Sequence, residues 1–206
     1  MKISNKTVKN RLLKNKSLKT KMKGGTRKKV YNKDHYHSGD GMLTNVWGPT
    51  LWHYLHTMSF NYPAEPTSQE KKNYKNFILN LQYVLPCKYC RINLVTNFKQ
   101  LPLTNKCMKN RETFSMYVYN LHELINKMLN KKSGLTYEDV RERYEHFRAR
   151  CGKKKGKLFK LKKTKKKHTG CTEPIHKVKS KGVVHIVPDN VKCESMVIDN
   201  KCVEMK

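Results

Sequence analysis

The stretch "LPCKYCRINL", residues 85–94, sets Cys87 and Cys90 two residues apart, after Pro86 and ahead of a run with helical character. Three chemistries use thiols at this spacing: half of a zinc site, a redox-active disulfide, or a pair of inert buried cysteines. A helix that starts at Cys87 favours the second. Unpaired backbone amides and the positive end of the helix dipole stabilise a thiolate there. A free thiol, with a pKa of about 8.5, is only a few per cent ionised near neutrality, and lowering it by about one unit raises that fraction nearly tenfold. Two thiols so spaced can also close a disulfide across one helical turn, as dithiol exchange requires. A structural zinc site needs a second ligand pair at a suitable distance. Cys107 has no close cysteine partner, and His53 and His56 lie on a helical stripe. A thioredoxin-like site wants strands alternating with helices around the motif, and none are readable here.

Helices must therefore position the pair. Trp47, Leu51, Trp52, Leu55 and Ser59 recur at helical spacing. "YPAEPTSQE" ends that helix, and Thr67 with Glu70 has the spacing of a capping box opening the next. The second stripe is Tyr74, Phe77, Ile78, Leu81 and Leu85. After Pro86 a short helix is predicted from Cys87 to about Phe98. A fourth, from about 111 to 130, carries Phe114, Tyr117, Val118, Leu121, Ile125 and Met128, and "KKSGL" ends it. Thr136 with Asp139 caps a fifth, bearing Val140, Tyr144 and Phe147. The fold class is all-α: a four-helix bundle plus a short fifth helix, with basic flexible N- and C-terminal extensions.

Charge marks out those extensions. The 206 residues carry a formal net charge of +30. Residues 1–44 hold 13 Lys/Arg against 2 acids, 45–150 hold 16 against 8, and 151–206 hold 16 against 5. Residues 1–44 read as a disordered basic extension, 45–151 as the helical domain, and 152–206 as a basic, largely flexible extension. In the last, "VVHIV" and "SMVID" read equally as short strands or as unstructured chain. Such charge attracts polyanions, or simply keeps a tail in solution. No apolar run reads as a secretory leader or a membrane span, which points to a cytoplasmic rather than a secreted protein. There, closely paired cysteines are more often catalytic or metal-binding than structural. The cysteine count of seven leaves at least one thiol without an intramolecular partner.

Three motifs in order, "WGPTLWHYLHTMSFNYP", "PCKYC" and "LHELINKMLNKK", resemble the Erv/ALR family of FAD-linked sulfhydryl oxidases across about residues 46–148. The basic N-terminus and sparse cysteines are most similar to versions carried by large cytoplasmic DNA viruses, which implies host cytoplasm or virion. The resemblance implies FAD as cofactor and a catalytic pair, Cys87 facing a protein dithiol substrate and Cys90 lying against the flavin. O2 would be the electron acceptor, giving H2O2. It implies cofactor-binding roles for Gly48, Trp52, His56, Tyr62, Tyr83, His122, Glu123, Ile125, Asn126, Tyr144 and Lys131 or Lys132. Glu123 stands where the family usually has asparagine. Tyr119 and Tyr137 stand about where many members place a second, structural disulfide. Relatives commonly dimerise, which implies a homodimer. They often relay electrons through a tail cysteine pair, for which Cys193 and Cys202 are the candidates, with Cys171 paired to either, or to Cys151, as alternatives. Cys107 is given no role.

Two other readings stand beside the oxidase. One is a basic, zinc-dependent nucleic-acid-binding module built on Cys87 and Cys90. The other is a helical interaction protein that has lost its flavin. The absence of a G-x-G-x-x-G motif argues against a Rossmann dinucleotide site, but not against a cofactor lodged between bundle helices.

Overall fold

Helices make up nearly all the regular structure. A computed structural model of the chain describes residues 32–39, 41–150, 171, 173–175, 180–188, 190–194 and 196–199. The helices are α1 (Lys33–His37), α2 (Thr44–Phe60), α3 (Ser68–Val84), α4 (Lys88–Gln100), α5 (Arg111–Met128) and α6 (Tyr137–Glu145). Two-residue strands β1 (Ala149–Arg150) and β2 (Glu173–Pro174) pair antiparallel, Ala149 opposite Pro174. The chain divides after Ser38 into two units. In the first, α1 occupies part of the extension expected to be disordered, with Asn32 accepting the His35 amide at 2.8 Å.

Capping chemistry starts the helices of the second unit. Thr67, Asn110 and Thr136 each accept the amide three residues on, and Glu70, Thr113 and Asp139 reach back to the cap amides. The Asn110 box was not read from the sequence, because its partner is threonine rather than Glu or Gln. Helix α4 begins one residue later than expected, with Cys87 as its cap.

Helix α2 packs on α5 and α6, α3 on α4, and α4 and α6 on α5. Leu55, Ile78, Leu81, Leu94, Phe114, Val118 and Leu121 form the main core. Phe60, Tyr137, Val140 and Tyr144 form a second cluster, against which Met196 packs. Phe77 and Met128, placed on the stripes by spacing, sit exposed at their edges. The free carbonyls at the end of α2 find arginines: Arg148 Nη2 donates to Phe60 O at 2.7 Å and Arg111 Nε to Tyr62 O at 2.6 Å. Residues 183–187 and 196–199 form no strand.

Tyr62 is wholly buried, its ring 4.8 Å from those of Tyr74 and Phe114. Its hydroxyl donates to Met108 O at 3.1 Å. The Tyr62→Phe variant leaves that buried carbonyl unpaired, so it is expected to lose about 1–2 kcal/mol in urea unfolding. Unchanged stability would show that the hydroxyl holds nothing.

Candidate active site

Cys87 and Cys90 are joined in a disulfide with Cα atoms 5.2 Å apart. Cys87 is extended, at φ −156°, and its Sγ accepts the Cys90 amide at 3.2 Å. A thiolate released at Cys87 therefore meets that amide and the positive end of α4. Cys90 packs against the main core, and its Sγ lies 3.9 Å from Thr44 Oγ1. The segment before the pair is latched from the other side. Met42 N donates to Pro86 O at 2.7 Å, and Gly41 pairs with Cys87 as an antiparallel bridge. Gly41 has φ +101°, and a Cβ there would lie 2.8 Å from Pro86 O, so only glycine allows this approach. Arg91 Nη1 donates to Leu85 O, tying the first turn of α4 back to the same segment.

A second group of side chains gathers where α2 meets α5 and α6. Trp52 stacks on His122, ring centroids 3.9 Å apart and planes 7° from parallel. His56 Nε2 lies 3.0 Å from His122 Nδ1. That contact holds one proton, so the two rings cannot both be cationic and keep it. Tyr144 stands 5.3 Å from His56, centroid to centroid, and stacks on Phe60 at 5.5 Å. Its hydroxyl lies 3.2 Å from His53 Nδ1 and donates to Met196 Sδ at 3.8 Å.

Burial sets the charge state of this group. Desolvation, with His122 and His53 beside it, pushes His56 down to about 3. Desolvation takes His122 to about 4, with Glu123 opposing and Lys131 adding to it. His53 is lowered by burial, and burial raises Tyr144 to about 12. At neutral pH the group is uncharged and aromatic. His56 Nδ1 is buried and has no hydrogen-bond partner among the described residues. These features fit a flat heteroaromatic group that takes stacking on its faces and a hydrogen bond at its edge.

The sequence-derived site residues divide accordingly. Trp52, His56, His122 and Tyr144 come together. Gly48 is buried one turn before Trp52, and Ile125 packs on the core one turn beyond His122. Glu123 accepts from Asn126 Nδ2 at 3.0 Å, so its carboxylate already has a partner. Lys131 and Lys132 are exposed beyond the end of α5. Two residues do not join the group. Tyr62 spends its ring and hydroxyl in the core, and Tyr83 is exposed at the last turn of α3. Cys193 is an exposed free thiol. Cys151 and Cys202 lie outside the described residues, and Cys171 is disulfide-bonded.

Sequence reasoning missed His53 and Phe60 as members, and Gly41 and Met196 as supports. The His53–His56 spacing, within one turn of α2, was the available signal. Cys87 and Cys90 are in a disulfide, and among the described residues no set of three His, Cys, Asp or Glu side chains is grouped to hold a metal ion. The zinc reading gains no support. At the position expected of a second disulfide, Tyr119 and Tyr137 meet edge to face at 5.8 Å. Tyr119 also donates to Leu135 O at 2.8 Å, and Ser115 Oγ lies 2.8 Å from Tyr137 OH.

Comparison with known proteins places these residues in context. The Erv1 / Alr family profile matches residues 49–145. A probable FAD-linked sulfhydryl oxidase of Acanthamoeba polyphaga mimivirus is 34% identical over 104 residues, 50% of this chain and 72% of that protein. The FAD-linked sulfhydryl oxidase of African swine fever virus (isolate Pig/Kenya/KEN-50/1950) is 32% identical over 99 residues, 48% of this chain and 80% of that protein. The FAD binding domain of Erv1 from Saccharomyces cerevisiae superposes at a TM-score of 0.46 and 24% identity, over 50% of this chain and 94% of that one.

The neutral histidines make stability depend on pH. Below the ordinary histidine value of 6.5 the unfolded chain takes up protons that His56 and His122 refuse in the fold. Stability is full above that value and falls as pH drops toward 4 and then 3. The carboxylates held low in the fold, Glu70, Asp139 and Glu145, have ordinary values of 4.5, 3.8 and 4.5, so they act further down. Between about pH 6.5 and 5 the melting temperature is expected to fall, and His56→Gln should flatten that slope. A wild-type melting temperature constant across this window would contradict buried neutral imidazoles.

Proposed function

Because the chain belongs to the Erv1 / Alr family, we propose that Cys87 and Cys90 are the reaction centre of an FAD-dependent sulfhydryl oxidase that forms disulfide bonds in protein dithiols. One observation carries the residue assignment. A disulfide capping a helix and an uncharged aromatic group with one unpartnered buried nitrogen are built into the same bundle. Trp52, His56, His122 and Tyr144 would hold the flat part of FAD. Gly48, Ile125 and Asn126 would complete that cradle, and Lys131 or Lys132 would meet the phosphates.

The cysteines divide the work by position, Cys87 at the cap of α4 and Cys90 packed against the main core. A client thiolate attacks Cys87 Sγ, the S–S bond breaks, and Cys90 leaves as a thiolate beside Thr44 Oγ1. The client's second thiolate then attacks the client sulfur of the mixed disulfide. Cys87 leaves as a thiolate, stabilised by the Cys90 amide. The client has lost two electrons and two protons and holds a disulfide, and the enzyme pair is reduced. FAD, when held there, would supply the two-electron acceptor for the reduced pair, with O2 as final acceptor giving H2O2. Holding His56 and His122 neutral keeps positive charge out of this aromatic group through the neutral range.

The same reading extends to the rest of the chain. Cys193 and Cys202 would relay electrons from clients, the basic segments 1–44 and 152–206 would contact polyanions, and the working form would be a homodimer. Among the described residues no helix is long and apolar enough to cross a membrane. Cytoplasm, or a virion, is the proposed compartment.

Oxygen uptake driven by dithiothreitol tests the assignment. Cys90→Ser and Cys87→Ser are each expected to reduce uptake to the rate without protein. Wild-type uptake by Cys90→Ser would refute the mechanism.

A further inference from the structure

The surface around the disulfide is apolar and cationic at once. Met42, Leu43, Tyr83, Val84, Tyr89 and Ile92 are each between 54% and 77% exposed. All six flank the reactive pair. Tyr83 and Val84 close α3 just ahead of Cys87, Tyr89 lies between the cysteines, and Ile92 lies two residues past Cys90. Met42 and Leu43 are fixed beside them by the Met42 N to Pro86 O hydrogen bond of 2.7 Å. Single exposed apolar side chains need no explanation, but six on the segments that carry or are bonded to one reactive bond point to a contact surface.

Charge selects what that surface takes. From Lys71 to Arg111, which spans α3 beyond its first turn, α4, the loop that follows and the first residue of α5, there are nine Lys or Arg and no Asp or Glu. Lys88 is exposed between the two cysteines, and Arg91 lies one residue past Cys90. A basic partner would be repelled, and a neutral polar one would leave the apolar side chains uncovered. Tyr83 and Tyr89 are large, stiff and amphipathic, the side-chain type that dominates binding energy at interfaces.

We infer that this surface is the client-docking site of the oxidase, and that it takes a polypeptide segment whose cysteine pair is flanked by acidic and apolar residues. The inference rests on the oxidase reading and adds to it the class of substrate. Tyr83, 71% exposed at the end of α3, acts on the client side rather than the cofactor side. Docking lays a client thiol against Cys87 Sγ. The thiol exchange described above then moves two electrons from client to the enzyme pair, with no further reactant.

Binding and turnover separate this inference from the reading beneath it. Three labelled peptides with serine in place of both cysteines are titrated against the full chain by fluorescence anisotropy, flanked by Asp/Phe, by Ser/Gly or by Lys/Gly. The Asp/Phe peptide is expected to bind at least about tenfold more tightly than the other two, with the advantage shrinking at about 0.5 M salt. Leu43→Ser and Ile92→Ser, each losing one apolar contact, should weaken it by about tenfold. With cysteines restored, the same ranking should appear in KM, while oxidation of dithiothreitol by both variants stays at the wild-type rate. Equal binding of all three peptides, or variants that bind like wild type, would overturn the docking site. So would gel filtration showing that both variants only break a dimer while peptide preference is unchanged. Loss of dithiothreitol oxidation in the wild type would instead strike the oxidase reading, with the anisotropy ranking still deciding the docking surface.

Discussion

The contact between α2 and α5 organises the rest of the molecule. It lays Trp52 flat on His122 and sets His56 Nε2 3.0 Å from His122 Nδ1. Two imidazoles so close in a dry site cannot both be charged, and burial holds each neutral. The cost falls on His56 Nδ1, a polar atom with no partner among the described residues. A buried unsatisfied nitrogen costs on the order of 1–3 kcal/mol unless something meets it. Such a debt is tolerated where a ligand settles it.

The remaining helices hold this pair in register with the cysteines. Helix α6 brings Tyr144 against His56 and Phe60, and Met196 covers the Tyr144 hydroxyl. Helix α4 is pinned to α3 by packing and presents Cys90 to the core side and Cys87 to its cap. The Gly41–Cys87 bridge fixes the lead into α2 against the redox segment, so the same helix that carries Trp52 is tied to the disulfide. With Tyr119 and Tyr137 in place of a second disulfide, α5 and α6 are held by an edge-to-face ring contact and hydrogen bonds rather than a covalent bond. That joint depends on no redox state, which suits a protein whose business is exchanging disulfides.

Much of this was legible in the sequence because its causes are local. Stripes at 3.6-residue spacing and the Thr67–Glu70 and Thr136–Asp139 boxes act within one or two turns, so five helices could be placed. The cysteine pair and its helix start were legible for the same reason. What could not be read is set by long-range packing. Nothing near Tyr62 says that its hydroxyl will reach Met108, 46 residues away, instead of a cofactor. Nothing near Tyr83 says which way the last turn of α3 faces. Nor does position 41 announce its partner; the glycine is needed only because Pro86 O approaches it from a distant segment. The exposure of Tyr83, Val84, Tyr89 and Ile92 near the disulfide came from the same source, since exposure belongs to the fold and not to the residue.

The visible absorbance of the purified full chain tests the central claim most directly. After gel filtration the protein should carry a flavin band in near-stoichiometric amount, and Trp52→Ala should lose it while its far-ultraviolet circular dichroism stays helical. A helical, correctly folded wild-type chain that is colourless and takes up no added FAD would contradict the cofactor assignment at its root.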